Sequence, residues 1–227
     1  MERHFHEQLQ NLKQTLLQMA SSVEISIVRA IAALVKSNNA MADEVIKTDE
    51  EINALEIRID AQCLKLLALQ QPMAVDLRFI TSAMKINNDL ERIGDHAVNI
   101  AERAIILNTQ GLLRPLTKIP VMAPIVQSMV KDSLDSFING EIEQARAVCA
   151  RDDKVDRLDR QIFRELMVLM LADAKIISGA LNLILISKNL ERIADLSTNI
   201  AEEVIFIYNA QIIKHHPGIK TPEDSRA

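Results

Sequence analysis

Acidic and amide side chains recur at the same spacing in two segments that lie 100 residues apart. Residues 90–102 read LERIGDHAVNIAE and residues 190–202 read LERIADLSTNIAE, so nine of thirteen positions are identical. Oxygen-rich sites suit hard or borderline cations such as magnesium, manganese and iron, and such cations relieve the repulsion between neighbouring carboxylates. The duplicated pattern therefore predicts one cation site in each half. The shared positions are Glu91, Asp95, Asn99 and Glu102 in the first copy and Glu191, Asp195, Asn199 and Glu202 in the second.

Helical geometry places each set of four on one face. At 3.6 residues per turn the four positions fall within an arc of about 80°. Apolar residues such as Leu90 and Ile93 fall on the opposite side and are predicted to face a core. His96, next to Asp95, is either a further ligand or a packing histidine, and its counterpart in the second copy is Leu196.

A preceding helix is expected to bring more acidic groups to each face. The string DEEINALE at 49–56 matches DDKVDRLD at 152–159. Antiparallel pairing across turns near residues 72 and 173 sets these strings level with the long acidic helices. The second half then offers four carboxylates, whereas the first half offers three and an amide. The predicted pairs are Asn53 with Glu91, Asp49 with Asp95, Asp156 with Glu191 and Asp152 with Asp195.

A solvated acidic face is the alternative to a metal site. The metal site is favoured because the pattern recurs in both halves while intervening residues differ. The same face also turns apolar toward the start of each long helix, as at Ile80 and Ile184. The sequence has no Glu-x-x-His pair of the kind found in di-iron bundles, no glycine-rich phosphate loop and no Gly-x-Ser-x-Gly motif. A catalytic function is therefore not favoured.

Helices must position these groups, and the composition favours an all-α protein. The 227 residues include five glycines, six prolines, one tyrosine and no tryptophan, and are rich in helix-favouring types. Apolar periodicity and Gly/Pro breaks predict six helices, arranged as two tandem three-helix bundles over 1–110 and 123–210. A linker is expected at 111–122 and a flexible tail at 211–227. The predicted helices span 3–38, 41–70, 74–108, 123–138, 141–171 and 174–210.

Net charge, cysteine content and the lack of long apolar segments indicate where the protein is located and which ligands it does not bind. A net charge of −5 argues against nucleic-acid binding. Cys63 and Cys149 are predicted to be free thiols in a reducing compartment. The polar start of the chain and the lack of a continuous apolar run of about 20 residues predict neither a signal peptide nor a membrane span. We therefore expect a soluble, cytoplasmic protein.

Four strings along the chain carry a family resemblance. They are LALQQPMAVDLRFI, DLERIGDHAVNIAE, FRELMVLMLAD and NLERIADLSTNIAE, in that order. With these strings the chain resembles the PhoU family of phosphate-specific transport accessory proteins, from about residue 5 to residue 210. The resemblance alone introduces phosphate, since composition and spacing do not.

The resemblance carries further expectations. It implies two three-helix bundles related by a pseudo-twofold axis, in a cytoplasmic protein that is commonly dimeric. It implies a non-catalytic negative regulator of the phosphate-starvation response and of phosphate uptake. The implied partners are the PstB ATPase of the phosphate transporter and the PhoR sensor histidine kinase, so that any membrane contact is made through them. This function would be that of an adaptor between the transporter and the kinase.

The family also holds iron or zinc in some members, at motifs of the form E/D-x-x-x-D. We expect iron, zinc, manganese or magnesium and no organic cofactor. This sequence departs from the family at Asn53, which makes one motif a carboxylate short, and at Leu196, where the family usually shows histidine. The motifs fall here on Glu91 and Asp95, Glu191 and Asp195, Asp152 and Asp156, and Asp49 with Asn53.

Two alternatives to the adaptor stay open at this point. One is a metal-dependent carboxylate-bundle enzyme, and the other is a helical scaffold whose acidic faces are only solvated. Charge changes at Glu191 and Asp195 distinguish the scaffold, because a scaffold tolerates them without loss of metal or partner binding.

Overall fold

Helices make up nearly all of the computed structural model, which describes residues 2–70, 72–111 and 118–209. A short 3₁₀ helix, Ala174–Ile176, precedes the last α-helix, and none of the described residues forms a strand. The all-α prediction is confirmed. The α-helices are α1 Glu2–Val35, α2 Asn39–Gln70, α3 Ala74–Gln110, α4 Ile119–Asn139, α5 Ile142–Cys149, α6 Asp152–Ala172 and α7 Ile177–Asn209.

The predicted fifth helix, 141–171, is interrupted at Ala150 and Arg151, between α5 and α6. The Arg151 guanidinium reaches α4, where Nη2 lies 2.6 Å from Asp132 Oδ2 and Nη1 donates to Ser128 Oγ at 3.0 Å. These contacts fasten the break to the bundle. Counted with α5 and α6 as two parts of one element, the helices of the described chain number six, as predicted.

The fourth helix begins at Ile119 rather than at residue 123, so residues 119–122 of the predicted linker are helical. Pro120 lies in the first turn, where its missing N–H has no intrahelical partner to lose. Residues 112–117 of the linker and the predicted tail, 211–227, lie outside the described residues.

Gly140 follows the last residue of α4, a position that glycine favours. Its φ of 71° and ψ of 28° are left-handed, and its N–H donates to the carbonyl of Ser136. A Cβ at this position would lie only 2.8 Å from Cζ of Tyr208, in the last turn of α7. Both the backbone and the neighbouring ring therefore require glycine here.

The long helices α3 and α7 pack antiparallel and join the two halves. Arg78, near the start of α3, donates through Nε to the carbonyl of Ile207, near the end of α7, at 3.1 Å. At the opposite end, Ser178 Oγ lies 3.3 Å from Gln110 Oε1. The hairpin tip between α2 and α3 and the tip between α6 and α7 therefore lie at opposite ends of the α3–α7 pair.

One continuous core holds both bundles. α1, α2 and α3 pack on one another, while α4, α5 and α6 pack on α7. Leu90 and Ile93 of α3, and their counterparts Leu190 and Ile193 of α7, are fully buried in a single cluster. The prediction that the repeated apolar face lies in the core is thus confirmed.

α1 is the one described helix whose length and hydropathy fit a membrane span, within His4–Val35. The core helix of a globular protein passes the same test. Half of its most apolar window is buried, and Leu12, Leu16 and Met19 lie fully or almost fully inside the bundle core. This packing assigns α1 to the core of the first bundle.

Candidate metal centre

α6 and α7 bring three carboxylates together. Oxygen atoms of Asp156, Glu191 and Asp195 all lie within 4.8 Å of one another. Glu191 and Asp195 are one turn apart on α7, and α6 sets Asp156 beside them. We call these three residues the carboxylate cluster. It is the one group of three or more closely spaced metal-binding side chains in the part of the chain that the structure describes.

Asp152, in the first turn of α6, adds a fourth carboxylate next to the cluster. Its Oδ1 is buried and has no hydrogen-bond partner among the described residues. Burial and then the charges of Asp156, Asp153 and Glu191 raise the pKa of Asp152 to about 6. The structure therefore brings together all four second-half carboxylates that the sequence predicted.

The electrostatics of Asp195 are similar. Burial is the first cause of a pKa raised to about 6, followed by repulsion from Glu191, Asp152 and Asp156, while Lys188 lowers the pKa. A carboxyl group that is hard to ionise because its neighbours are negative gains most from a bound cation. After burial, the repulsion between these carboxylates contributes to the raised pKa values, and a metal would neutralise that repulsion.

Two basic side chains partly neutralise the cluster. Lys188 Nζ donates to Glu191 Oε1 at 2.5 Å, and Arg160 Nη1 donates to Asp156 Oδ2 at 3.2 Å. The other oxygen of Glu191, Oε2, is buried without a hydrogen-bond partner in the described structure. One oxygen of Glu191 is therefore paired, and the other is left for a cation.

The donor set fits a hard or borderline cation. All its ligand atoms are carboxylate oxygens, which suit magnesium, manganese and iron. The buried unpaired oxygens of Asp152 and Glu191 are the observation that favours an ion, because a buried polar atom without a partner costs free energy. Zinc more often takes histidine or cysteine, and the carboxylate cluster contains neither.

The first half repeats this arrangement in a looser form. Burial is the main cause of the raised pKa of Asp49 and of Glu91, and the charge of Asp95 is the next. Asn53 stands where the second half has a carboxylate, and its Nδ2 donates to Asp49 Oδ2 at 3.0 Å. Glu56, which the sequence reasoning missed, also raises the pKa of Glu91. The amide thus takes up one oxygen that a metal would need.

His96 lies between the two long helices rather than in a carboxylate cluster. Its Nδ1 is 2.9 Å from Oδ1 of Asn189 on α7. Burial lowers the pKa of His96, the bond to Asn189 and the charge of Asp95 raise it, and Arg192 and Arg92 lower it. Of the two roles left open by the sequence, this contact supports the packing histidine.

Asn199 and Glu202 line a different feature, a cavity of about 520 Å³ between α3 and α7 that also includes Asn88 and Asp89. The charge of Glu202 is the second cause, after burial, of a Cys149 pKa raised to about 11. The structure places Asn199 and Glu202 at this cavity, and the carboxylate cluster does not include them. In the first half, Asn99 is half-buried and Glu102 is exposed.

Glu203 is a buried acidic residue that the sequence reasoning missed. Its Oε2 accepts from Ser82 Oγ at 2.8 Å, and its Oε1 accepts from Lys85 Nζ at 2.9 Å, so it fastens α7 to α3. A signal was present, because Glu203 lies three residues after Ile200 and four before Ile207, both buried. That spacing places Glu203 on the apolar stripe.

The family model that matches the chain decides its family. The PhoU domain matches twice, over residues 16–104 and 119–204. The chain belongs to the PhoU family. Each matched PhoU range contains one copy of the repeated acidic motif, at 90–102 and at 190–202. The resemblance read from the sequence is confirmed.

Similar PhoU proteins cover almost the whole chain. A phosphate-specific transport system accessory protein PhoU homolog of Aquifex aeolicus is 43% identical over 209 residues, which are 92% of this chain and 95% of that protein. The crystal structure of PhoU from Pseudomonas aeruginosa has a TM-score of 0.90 at 38% identity, over 91% of this chain and 100% of the other.

A more distant PhoU structure shows the same fold. The phosphate transport system regulatory protein PhoU from Streptococcus pneumoniae has a TM-score of 0.85 at 29% identity. The likeness spans 92% of this chain and 99% of that one. The two-bundle PhoU architecture is therefore common to all three proteins.

Proposed function

We propose that this protein is the regulatory accessory component of a phosphate transport system. In this role it restrains phosphate uptake and the phosphate-starvation response when phosphate is plentiful, and it catalyses no reaction. The observation that carries the proposal is the match to an accessory protein of that name at 43% identity over 92% of the chain. The likeness to the phosphate transport system regulatory protein PhoU of Streptococcus pneumoniae supports it.

The proposed mode of action is that of a cytoplasmic adaptor between a PstB-type ATPase and a PhoR-type sensor kinase. Its support is the duplicated fold, which presents two related ends on one antiparallel helix pair. Large apolar side chains are exposed at both hairpin tips, with Met73 80% exposed at one and Leu171 84% exposed at the other. Apolar exposure of this kind suits protein contacts, including a homodimer.

A cation at the carboxylate cluster is part of the proposal. Asp156, Glu191 and Asp195 would hold it, with Asp152 beside them, and iron, manganese, magnesium or zinc are the candidates. The ion supplies positive charge that neutralises the four acids and links α6 to α7. A weaker first-half site would use Asp49, Glu91 and Asp95.

The metal proposal is tested on the full chain, loaded with manganese and desalted. Wild type is expected to retain metal, and Glu191→Gln,Asp195→Asn is expected to lose it. The matched pair Glu91→Gln,Asp95→Asn is expected to keep the second-half ion. Equal metal content in all three proteins, measured by mass spectrometry, would remove the second-half ion from the account.

The regulatory proposal is tested by deleting the gene in the source organism. In phosphate-replete medium the deletion is expected to raise a starvation reporter such as alkaline phosphatase, and restoring the gene is expected to lower it. A reporter that stays low after deletion would contradict negative regulation. The carboxylate-bundle enzyme is tested separately, by phosphoester turnover with the metal-loaded protein and with Asp152→Asn.

A further inference from the structure

A groove of about 500 Å³ runs between α6 and α7, next to the carboxylate cluster. Its apolar lining includes Phe163, Ile184 and Leu185, of which Phe163 is 49% exposed. Its basic lining consists of Arg160, Arg164 and Lys188. We call this surface the α6–α7 groove. An apolar floor with three cations along it is suited to a ligand that carries both apolar and acidic groups.

Two of the three basic side chains line the groove and also pair with carboxylates of the cluster. Arg160 lines the groove and also donates to Asp156, and Lys188 lines it and also donates to Glu191. Arg164 has no ion-pair partner among the described residues, and the acidic groove residue Asp159 accepts a hydrogen bond from Ser187 Oγ at 2.7 Å. Two of the three basic side chains of the groove are thus already paired with neighbouring carboxylates.

The first half lacks this surface although it shares the fold. Extending the match of 49–56 with 152–159 pairs Arg160 with Ile57, Phe163 with Asp60 and Arg164 with Ala61. The offset of 100 residues between the long helices pairs Lys188 with Asn88. The aromatic residue and all three cations are therefore specific to the second half. Two copies of one fold that differ in this way present different surfaces to partners.

We propose that the α6–α7 groove docks an acidic amphipathic helix of a partner protein, and that a cation at the carboxylate cluster releases Arg160 and Lys188 to bind it. A cation bound to Asp156 and Glu191 would neutralise the negative charge that attracts Arg160 and Lys188. Its own positive charge would also repel the two basic side chains. Arg160 and Lys188 are then available to form ion pairs with a ligand in the groove. The groove thereby reports whether the cluster is occupied.

The coupling part of this inference rests on the cation proposed above, whereas the groove itself does not. An acidic helix is chosen over a free anion because Phe163, Ile184 and Leu185 offer nothing to an ion such as phosphate. An acidic helix with leucines at i, i+3, i+4 and i+7 meets both the apolar floor and the basic side chains.

The test uses the full chain and a fluorescein-labelled helical peptide of leucine, alanine and glutamate with that leucine spacing. Binding is followed by fluorescence anisotropy without metal and with Mn²⁺. We expect Mn²⁺ to tighten binding by about tenfold, since two partly exposed ion pairs are redirected from the cluster to the peptide. Arg164→Glu is expected to abolish binding. Lys65→Glu makes the same charge change at an exposed position on α2 and is expected to leave binding unchanged.

A metal-free arm separates the groove from the cation. Asp156→Asn,Glu191→Gln removes the carboxylate charges directly, so it should bind the peptide without metal as tightly as Mn²⁺-loaded wild type. If that variant binds tightly while Mn²⁺ leaves wild type unchanged, the groove is supported and the proposed cation fails. Circular dichroism confirms that each variant is folded.

Three results would overturn the inference. The first is no binding by both Mn²⁺-loaded wild type and the metal-free double variant. The second is equal binding by Arg164→Glu and Lys65→Glu, or equal binding of a peptide with lysine in place of glutamate. The third is binding to vesicles of anionic phospholipid in preference to the peptide, since a membrane surface would then be the occupant.

Discussion

Lys188 donates a 2.5 Å hydrogen bond to one carboxylate oxygen of Glu191, while the other oxygen, Oε2, is buried with no hydrogen-bond partner among the described residues. One glutamate thus combines a satisfied ion pair with an unsatisfied acceptor. The second acceptor lies where Asp156 and Asp195 also converge. In the metal-free protein, the lysine is a partial substitute for a cation.

Removing that substitute should favour metal. We expect Lys188→Met to bind Mn²⁺ several-fold more tightly than wild type, because the ion no longer competes with an ammonium group for Glu191. Isothermal titration calorimetry measures the affinity. Lys65→Met, on exposed α2, is the matched control. Weaker Mn²⁺ binding by Lys188→Met than by this control would contradict the competition.

Without metal, Asp152 and Asp195 should contribute more to the free energy of unfolding at mildly acidic pH than at neutral pH. The pKa values of Asp152 and Asp195 are raised to about 6, from an ordinary value of 3.8. The folded state therefore binds protons more tightly than the unfolded state between these values, so stability falls as pH rises from about 4 to about 6. Asp152→Asn,Asp195→Asn should lack this contribution.

Urea unfolding at several pH values in chelator measures the effect. The comparison is the difference in unfolding free energy between wild type and the double variant, since the remaining titrating groups are common to both. That difference should shift in favour of wild type as the pH is lowered from 7 toward 4. A shift in the opposite direction would show that the two carboxyl groups ionise more readily in the fold than in the unfolded chain.

Gly140 and Gly111 differ in what an added side chain would meet. Both have positive φ, of 71° and 83°, but only Gly140 has a side chain, that of Tyr208, within reach of a Cβ. We expect Gly140→Ala to lower the free energy of unfolding by about 1–2 kcal/mol through backbone strain and further through displacement of Tyr208. Gly111→Ala meets no side chain, but the ψ of Gly111 is 120° against 28° for Gly140, so the backbone effects of the two changes differ. Calorimetry of Gly140→Ala in wild type and in Tyr208→Ala decides, and an equal loss in both backgrounds would exclude the ring contact.

The Lys85–Glu203 pair should contribute to the joint between the halves. Glu203 has a side chain only 5% exposed, so removal of its cationic partner leaves a buried charge less compensated. Because Lys85 is itself 51% exposed, we expect Lys85→Met to cost only about 1–2 kcal/mol. Lys47→Met, at an exposed position on α2, is expected to cost less than half of that. Urea unfolding that ranks the two variants equally would count against the pair.

Local periodicity was sufficient to predict much of the fold. Most of the helix bounds and the buried positions of Leu90 and Ile93 follow from spacing within one helix. The break at Ala150 and Arg151 does not. It depends on contacts of Arg151 with α4, and neither glycine nor proline marks it in the sequence.

The candidate site also contains some features that the sequence predicted and others that it did not. The antiparallel register correctly placed Asp156 near Glu191, because a short hairpin fixes which residues are level. The azimuth of a side chain on a packed helix is not fixed in that way. His96 therefore contacts Asn189, and Asn199 lines the cavity between α3 and α7. Both outcomes depend on how α3 crosses α7, which periodicity within one helix does not determine.

The most direct test of the account is a complementation series in the phosphate-replete deletion strain, read with the starvation reporter. Wild type and Glu91→Gln,Asp95→Asn are predicted to restore a low signal. Glu191→Gln,Asp195→Asn, expressed at the same level, is predicted to leave the signal high, because the proposed function acts through the second-half cluster. Failure of wild type to lower the reporter would contradict the regulatory function. Full restoration by the second-half variant would remove the carboxylate cluster from it.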